Sequence, residues 1–190
     1  MNTETLEKPL PKPSMEDYVN ARLLEALVEA RLALEFLGRG GLVRNAAGKA
    51  FQSWRALLAA LLRLDLDRLM QVVKTDEERR WLMERAIPRV PTSRMMALSK
   101  MLSDVGYAGL LPDTALALSL HDYQYNGPDP PDMALSKFRS RSDAAAAVLE
   151  LVNEVVRRIE ELKPRVKWGG NELEEALREL KDELNRVGKS

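Results

Sequence analysis

Apolar residues recur along this chain at spacings of three and four, which marks one face of an α-helix. Nowhere do they alternate with the period of two that a half-buried strand requires. Val19, Leu23, Ala26, Leu27, Ala30, Leu34 and Leu37 define a first helix. Ser14-Met15-Glu16-Asp17 reads as its capping box, with acids in the first turn where the helix dipole favours them. Gly38-Arg39-Gly40-Gly41 stops it, because glycine takes the left-handed conformation a helix end requires. The second helix is predicted from about Leu42 to Met70. On it Ala47, Ala50, Phe51, Trp54, Leu57, Leu58 and Leu61 share one face, and Ser53, Ala56, Ala59 and Ala60 line another with small side chains. A helix apolar on one side and small on another is contacted on both, so this element is expected at the centre, with Phe51 and Trp54 in the core.

Thr75-Asp76-Glu77-Glu78 is a second capping box and opens a short helix through Trp81, Leu82 and Ile87. Pro88 and Pro91 break the chain, and Thr92 or Ser93 restarts it through Met95, Met96, Leu98, Met101 and Leu102 as far as Gly106. The three methionines are expected to fill the core. Pro112-Asp113 begins a helix that is predicted to run through Leu116, Ala117 and Leu120 to His121. From Tyr123 to Lys137 the chain is expected to be irregular, since Asn126-Gly127 is a turn signal and Pro128, Pro130 and Pro131 exclude a helix. Ser140 and Asp143 cap the next helix, striped by Val148, Leu151, Val152, Val155, Ile159 and Leu162. After Pro164 and Gly169-Gly170, Asn171 is expected to cap a final helix with a narrow seam of Leu173, Leu177, Leu180 and Leu184. So short a helix is unstable alone and must bury that seam on its own bundle or on a partner. The expected architecture is an all-α, up-and-down helical bundle with additional short helices. Residues 1–14 form a flexible lead-in, 15–163 the bundle, and 164–190 a linker and C-terminal amphipathic helix.

Composition narrows the chemistry. At 190 residues, with 45% apolar and 31% charged residues, the chain has the make-up of one globular domain. It has no Cys and one His, which excludes disulfides, thiolate zinc sites, cysteine catalysis and multi-histidine metal sites. No cofactor is implied. No apolar run approaches the roughly 18 residues of a membrane span. The opening MNTETLEKPLPKP has acids and prolines where a secretion signal is basic and then apolar, so a cytoplasmic location is expected. The lack of Cys, the three Gln and the abundance of Arg and Glu suit a thermophilic source.

Basic and acidic residues balance at 29 each, but they are segregated. Between Arg39 and Lys100 there are 13 basic and 6 acidic residues; between Met101 and Ala134 there are 5 acidic and none basic. Either these blocks face each other and cancel, or residues 39–100 present a basic face to phosphate.

The densest polar cluster runs from His121 to Asp132, with His121, Asp122, Tyr123, Tyr125 and Asn126 in its first six residues. An imidazole near neutrality is a weak candidate for acid–base catalysis. His121 and Asp122 are sequence neighbours, however, and project about 100° apart on a helix, so they form no obvious dyad. The alternative is that the His and the tyrosines pin a long loop by packing. Arg44 and Arg55, three helical turns apart at the edge of the apolar face, could receive a phosphate together with Lys49. The alternative for them is a solvated or ion-paired edge.

The segment RNAAGKAFQSWRALLAALL, Arg44 to Leu62, resembles the corresponding helix of HEPN-type bundles. A closer resemblance is to the archaeal PaREP family of the first type, over roughly residues 15–163. It is carried also by IPRVPTSRMMALSKML (Ile87 to Leu102) and ALALSLHDYQYNGPDPPDMALSKFRSR (up to Arg141). That resemblance implies a helical fold. An active subset of HEPN domains cleaves RNA with an Arg followed four to six residues later by a His on the last core helix. Here the residues preceding His121 hold no Arg, and no His follows Arg141, so that motif is absent. The leading expectation is a non-catalytic interaction or oligomerisation module, pairing as a homodimer or with a second protein. The alternative is an RNA- or nucleotide-binding protein, or a ribonuclease-like enzyme, using His121, Tyr123, Tyr125, Asn126, Arg139 and Arg141.

Overall fold

The computed structural model describes residues 14–39, 41–127, 136–168 and 170–188, and all their regular structure is helical. In chain order the helices are α1 (Met15–Gly38), α2 (Val43–Leu64), α3 (Leu66–Val72), α4 (Asp76–Trp81), α5 (Ile87–Arg89), α6 (Met95–Asp104), α7 (Leu110–Asn126), α8 (Arg141–Leu162) and α9 (Gly170–Val187). A π-helical turn, Leu82–Ala86, joins α4 to α5, and a 3₁₀ turn, Thr92–Arg94, leads into α6. Three capping predictions correspond to hydrogen bonds. The hydroxyls of Ser14, Thr75 and Ser140 accept the N–H groups of Asp17, Glu78 and Asp143 at 3.0–3.1 Å. Of the lead-in expected over residues 1–14, residues 1–13 lie outside the described residues, and Ser14 caps α1.

α2 is the hub. Fifteen of its 22 residues are buried, more than one face can supply, and it packs on α1, α7, α8, α5 and α6. Phe51 and Trp54 are fully buried, as expected. The indole N–H of Trp54 donates to the Thr114 hydroxyl at 2.9 Å, and Thr114 shares a 2.6 Å hydrogen bond with Ser99. This chain satisfies the polar tip that a buried Trp brings into the core. The Ser53 hydroxyl donates to the backbone carbonyl of Ala26 at 2.7 Å, a contact that needs small residues where α1 and α2 cross.

The second helix does not run on to Met70. It stops at Leu64, and Asp65 (φ −105°, ψ 24°) turns the chain into α3. Asp65 is 3% exposed, and its carboxylate accepts from Arg165 at 2.8 and 2.9 Å, from Arg68 at 3.2 Å, and from the Tyr107 hydroxyl. Turning the helix at Asp65 leaves this carboxylate facing donors from two distant segments. α7 departs from expectation in the other direction, continuing through Tyr123 to Asn126. Pro112 sits in its first turn, where a missing N–H costs nothing. Pro128, Pro130 and Pro131 lie outside the described residues.

α9 begins at Gly170, so Asn171 is inside the helix and not its cap. Its seam docks on α1 and α8 of the same chain: Leu173, Leu177 and Leu180 are buried and Leu184 is partly so. Arg31 on α1 pairs with Glu179 at 2.8 Å, and Asn20 donates to the Lys167 carbonyl at 3.0 Å. Of the two destinations open to the seam, the structure shows the internal one, which covers these leucines while α9 is docked. The methionines also divide. Met95 is buried, Met101 is partly buried, and Met96 is exposed, which corrects its assignment to the core.

Candidate functional site

Extension of α7 places His121 against the hub helix. Its imidazole stacks on Phe51 with ring centroids 4.1 Å apart and planes 25° apart, and Tyr125 meets its edge at 5.4 Å. His121 Nδ1 is buried without a hydrogen-bond partner. Asp122 is ion-paired with Lys137, so the two neighbours are engaged separately and form no dyad. Tyr123 is 2% exposed and packs edge-on against Phe138, whereas Tyr125 is 66% exposed and Asn126 is exposed. The cluster therefore has a buried part that pins α7 and an exposed part, Tyr125 and Asn126, that faces solvent. Asp132 lies outside the described residues.

The arginines expected to act together on α2 are held apart. Arg44 and Arg55 are 11 residues apart in one helix, a rise of about 16 Å at 1.5 Å per residue. Arg44 donates to the Gly127 carbonyl at 3.1 Å, satisfying an acceptor just past the end of α7. A Cβ at position 127 would lie 2.8 Å from Arg44 Nε and 3.0 Å from the Tyr123 carbonyl oxygen, so this approach needs glycine. Arg44, Tyr123 and Arg141 line a small pocket of about 160 Å³ with Gly41, Val43 and Asn45. Lys49 is paired with Glu29 at 2.9 Å. Arg139 is exposed. Arg55 belongs to a different cavity, shared with Arg22 and Arg89.

A second buried charge cluster links α7 and α8. Arg158, 4% exposed, donates to the Ala108 carbonyl (2.9 Å) and to Asp113 (2.8 Å) and pairs with Glu154 (2.7 Å). Burial pushes the Asp113 carboxyl above its ordinary range, whereas the Arg157 guanidinium beside Glu154 draws that carboxyl below its own. The guanidinium of Arg158 also lies over the Trp54 ring, 5.7 Å from its centroid. This cluster is an internal tie.

A further surface feature is one that sequence reasoning did not find. Between α3, α4 and α6 lies a groove of about 610 Å³ with Val72, Val73, Trp81, Ala97 and Met101 on its apolar side and Lys74, Glu77, Glu78, Arg94 and Asp104 around it. Val72 is 44% exposed and Trp81 and Met101 are half-buried. The only sequence signal was Trp81 and Met101 on short helices, which reads equally well as core. Among the described residues there is no group of three or more His, Asp or Glu that could hold a metal, and no helix long and apolar enough to cross a membrane.

Fold and surface together define an all-α protein organised around one buried helix, with an open groove between three of its shorter helices. A family model described as the archaeal PaREP1/PaREP8 family matches residues 21–149, from the first turns of α1 into α8. The match covers well over half of the chain, which therefore belongs to that family. No curated protein and no solved structure matches it.

Proposed function

We propose that this protein is a non-catalytic interaction module that pairs with a second copy of itself through the groove between α3, α4 and α6. The observation that carries this reading is the groove, an apolar surface open to solvent within a ring of charge. Its rim holds both signs: Lys74 and Arg94 against Glu77, Glu78 and Asp104. A two-fold contact sets one patch against its own copy, so a mixed rim can pair basic with acidic residues across the axis. A net charge of zero leaves no long-range repulsion between copies. The seam of α9, covered within the chain, does not compete for this role. Within the same reading the bundle is HEPN-like, cytoplasmic and heat-adapted, on the strength of the α2 sequence and the Cys-free, Gln-poor composition.

Light scattering across a concentration series tests this. The wild-type chain of 21.4 kDa is expected at about twice its monomer mass, and Val72→Glu combined with Met101→Glu at the monomer mass with an unchanged helical circular dichroism spectrum. A wild-type monomer at every concentration, or a dimer indifferent to both substitutions, overturns the reading. The nucleotide or RNA reading has a narrower basis around His121, because Tyr123 is buried and Arg44 is engaged with the Gly127 carbonyl.

A further inference from the structure

We infer that Arg22, Arg55 and Arg89 form a binding site for the phosphate or diphosphate group of a small molecule. The three arginines line a cavity of about 340 Å³ with Ala56, Ala59, Pro88 and Val90, large enough for such a group and part of what it is attached to. They come from three places in the chain, α1, α2 and the end of α5, so the fold alone brings them together.

Their roles differ. Arg22, with its side chain 14% exposed, is the fixed wall. Its Nε donates to the Tyr18 hydroxyl at 3.0 Å, one terminal nitrogen to Glu25 at 2.7 Å, and the other to the Pro88 carbonyl at 2.9 Å. Tyr18 in turn donates to the Ile87 carbonyl at 2.7 Å, so α1 grips the backbone just before Arg89. Among the described residues Arg55 has no ion-pair and no hydrogen-bond partner. Its guanidinium lies 5.9 Å from the centroid of the Phe51 ring, which orients the group and leaves its donors available. Arg89 is exposed and likewise has no ion-pair partner among the described residues. Ala56 and Ala59 keep this side of α2 open, and Arg63, one turn beyond Ala59, adds positive charge close enough to act on Tyr18. Among the described residues Glu25 is the one carboxylate bonded to the set, so a positive excess faces the cavity. Planar guanidinium forks in that setting match the oxygens of a phosphate.

The backbone around the cavity is unusual at two points, both on the same side. Val90 is a buried, β-branched residue held at φ 39°, ψ 74°, the only described non-glycine residue at positive φ. Its N–H closes on the Ala86 carbonyl at 2.7 Å, directly after the π-helical turn. π turns and left-handed non-glycine residues both concentrate where a protein binds or reacts. Here they carry Pro88 and Arg89 to the rim.

Titration calorimetry with inorganic pyrophosphate and, separately, with adenosine diphosphate tests the site in the full chain. Saturable binding that weakens with salt is expected for at least one of the two. Arg55→Ala and Arg89→Ala should each weaken it about tenfold or more, Arg55→Lys less, and Arg80→Ala on the exposed side of α4 not at all. Equal affinity for both probes assigns the site to the diphosphate alone; tighter binding of the nucleotide assigns it to a nucleotide ligand. No saturable binding of either probe, or binding indifferent to Arg55→Ala and Arg89→Ala in variants that keep the wild-type circular dichroism, overturns the inference. The site shares no residue with the α3–α4–α6 groove, so either proposal can fail while the other stands.

Discussion

Asp65 is the residue where local preference and tertiary demand conflict most visibly. Burial works against its charge, but hydrogen bonds from Tyr107, Arg165 and Arg68 outweigh this and hold the carboxyl below its ordinary value of 3.8. Burial and the Asp65 carboxylate push the Tyr107 hydroxyl well above its ordinary value, so it stays a donor throughout the accessible range. A carboxyl whose pKa falls on folding stabilises the fold at pH values above its unfolded value. That contribution is lost as the pH drops through the depressed value. Chemical denaturation should therefore give a flat stability from neutral pH to about 5 and a decline below about 4. Asp65→Asn should cost about 2 kcal/mol at pH 7, the worth of hydrogen bonds to a charged group, and should make the decline shallower. A full-sized decline in that variant would mean that other carboxylates carry it.

The residues also show what could be read from sequence. Arg55 stands out in the sequence as a candidate for phosphate by its type and its place at the edge of an apolar face. Its companions Arg22 and Arg89 were not, because they lie 33 and 34 residues away on other segments and meet it only through the fold. Arg44 and Lys49 carried the same local signal as Arg55, but their partners, the Gly127 carbonyl and Glu29, lie on other segments and are likewise chosen by packing.

At the level of elements, most starts of helices were legible, though not that of α9, and some of their ends were not. A cap is a bond between residues three apart, so Ser14, Thr75 and Ser140 announce it locally. The turn at Asp65 depends on Arg165, 100 residues further on, and the last turn of α7 on the stacking of His121 against Phe51. The seam of α9 was legible as a surface that must be covered, but what covers it was not, because the complementary face of α1 is at the far end of the chain. Leu180→Ala removes a fully buried side chain from that contact and should cost about 2–5 kcal/mol in equilibrium unfolding. The oligomeric state should not change with it. If the mass by light scattering fell instead, the seam would be serving a partner.

Considered whole, the molecule is closed by contacts of α1 with α9 and with the segment that leads into α9. Arg31 with Glu179 and Asn20 with Lys167 are separated by 148 and 147 residues. The hub of α2 accounts for the all-α class, which hydrophobic periodicity conveys well. The α3–α4–α6 groove lies between short helices, where periodicity has little length in which to speak, and the arginine cavity joins segments far apart in the chain. Deleting residues 170–190 should uncover part of α1, lower the thermal midpoint and raise the fluorescence of a dye that binds exposed apolar surface. An unchanged midpoint would show that α1 needs no such cover.

The docking of α9 on α1 also sets an order of events during synthesis. α1 leaves the ribosome before the helix that covers it, which follows more than 130 residues later. At about 5–20 residues per second that interval lasts some seconds, far longer than a helix needs to form. Throughout it, a nascent chain that has already assembled α1 and α2 displays an uncovered apolar face. This face is the natural target for a chaperone, and for a neighbouring chain on the same messenger.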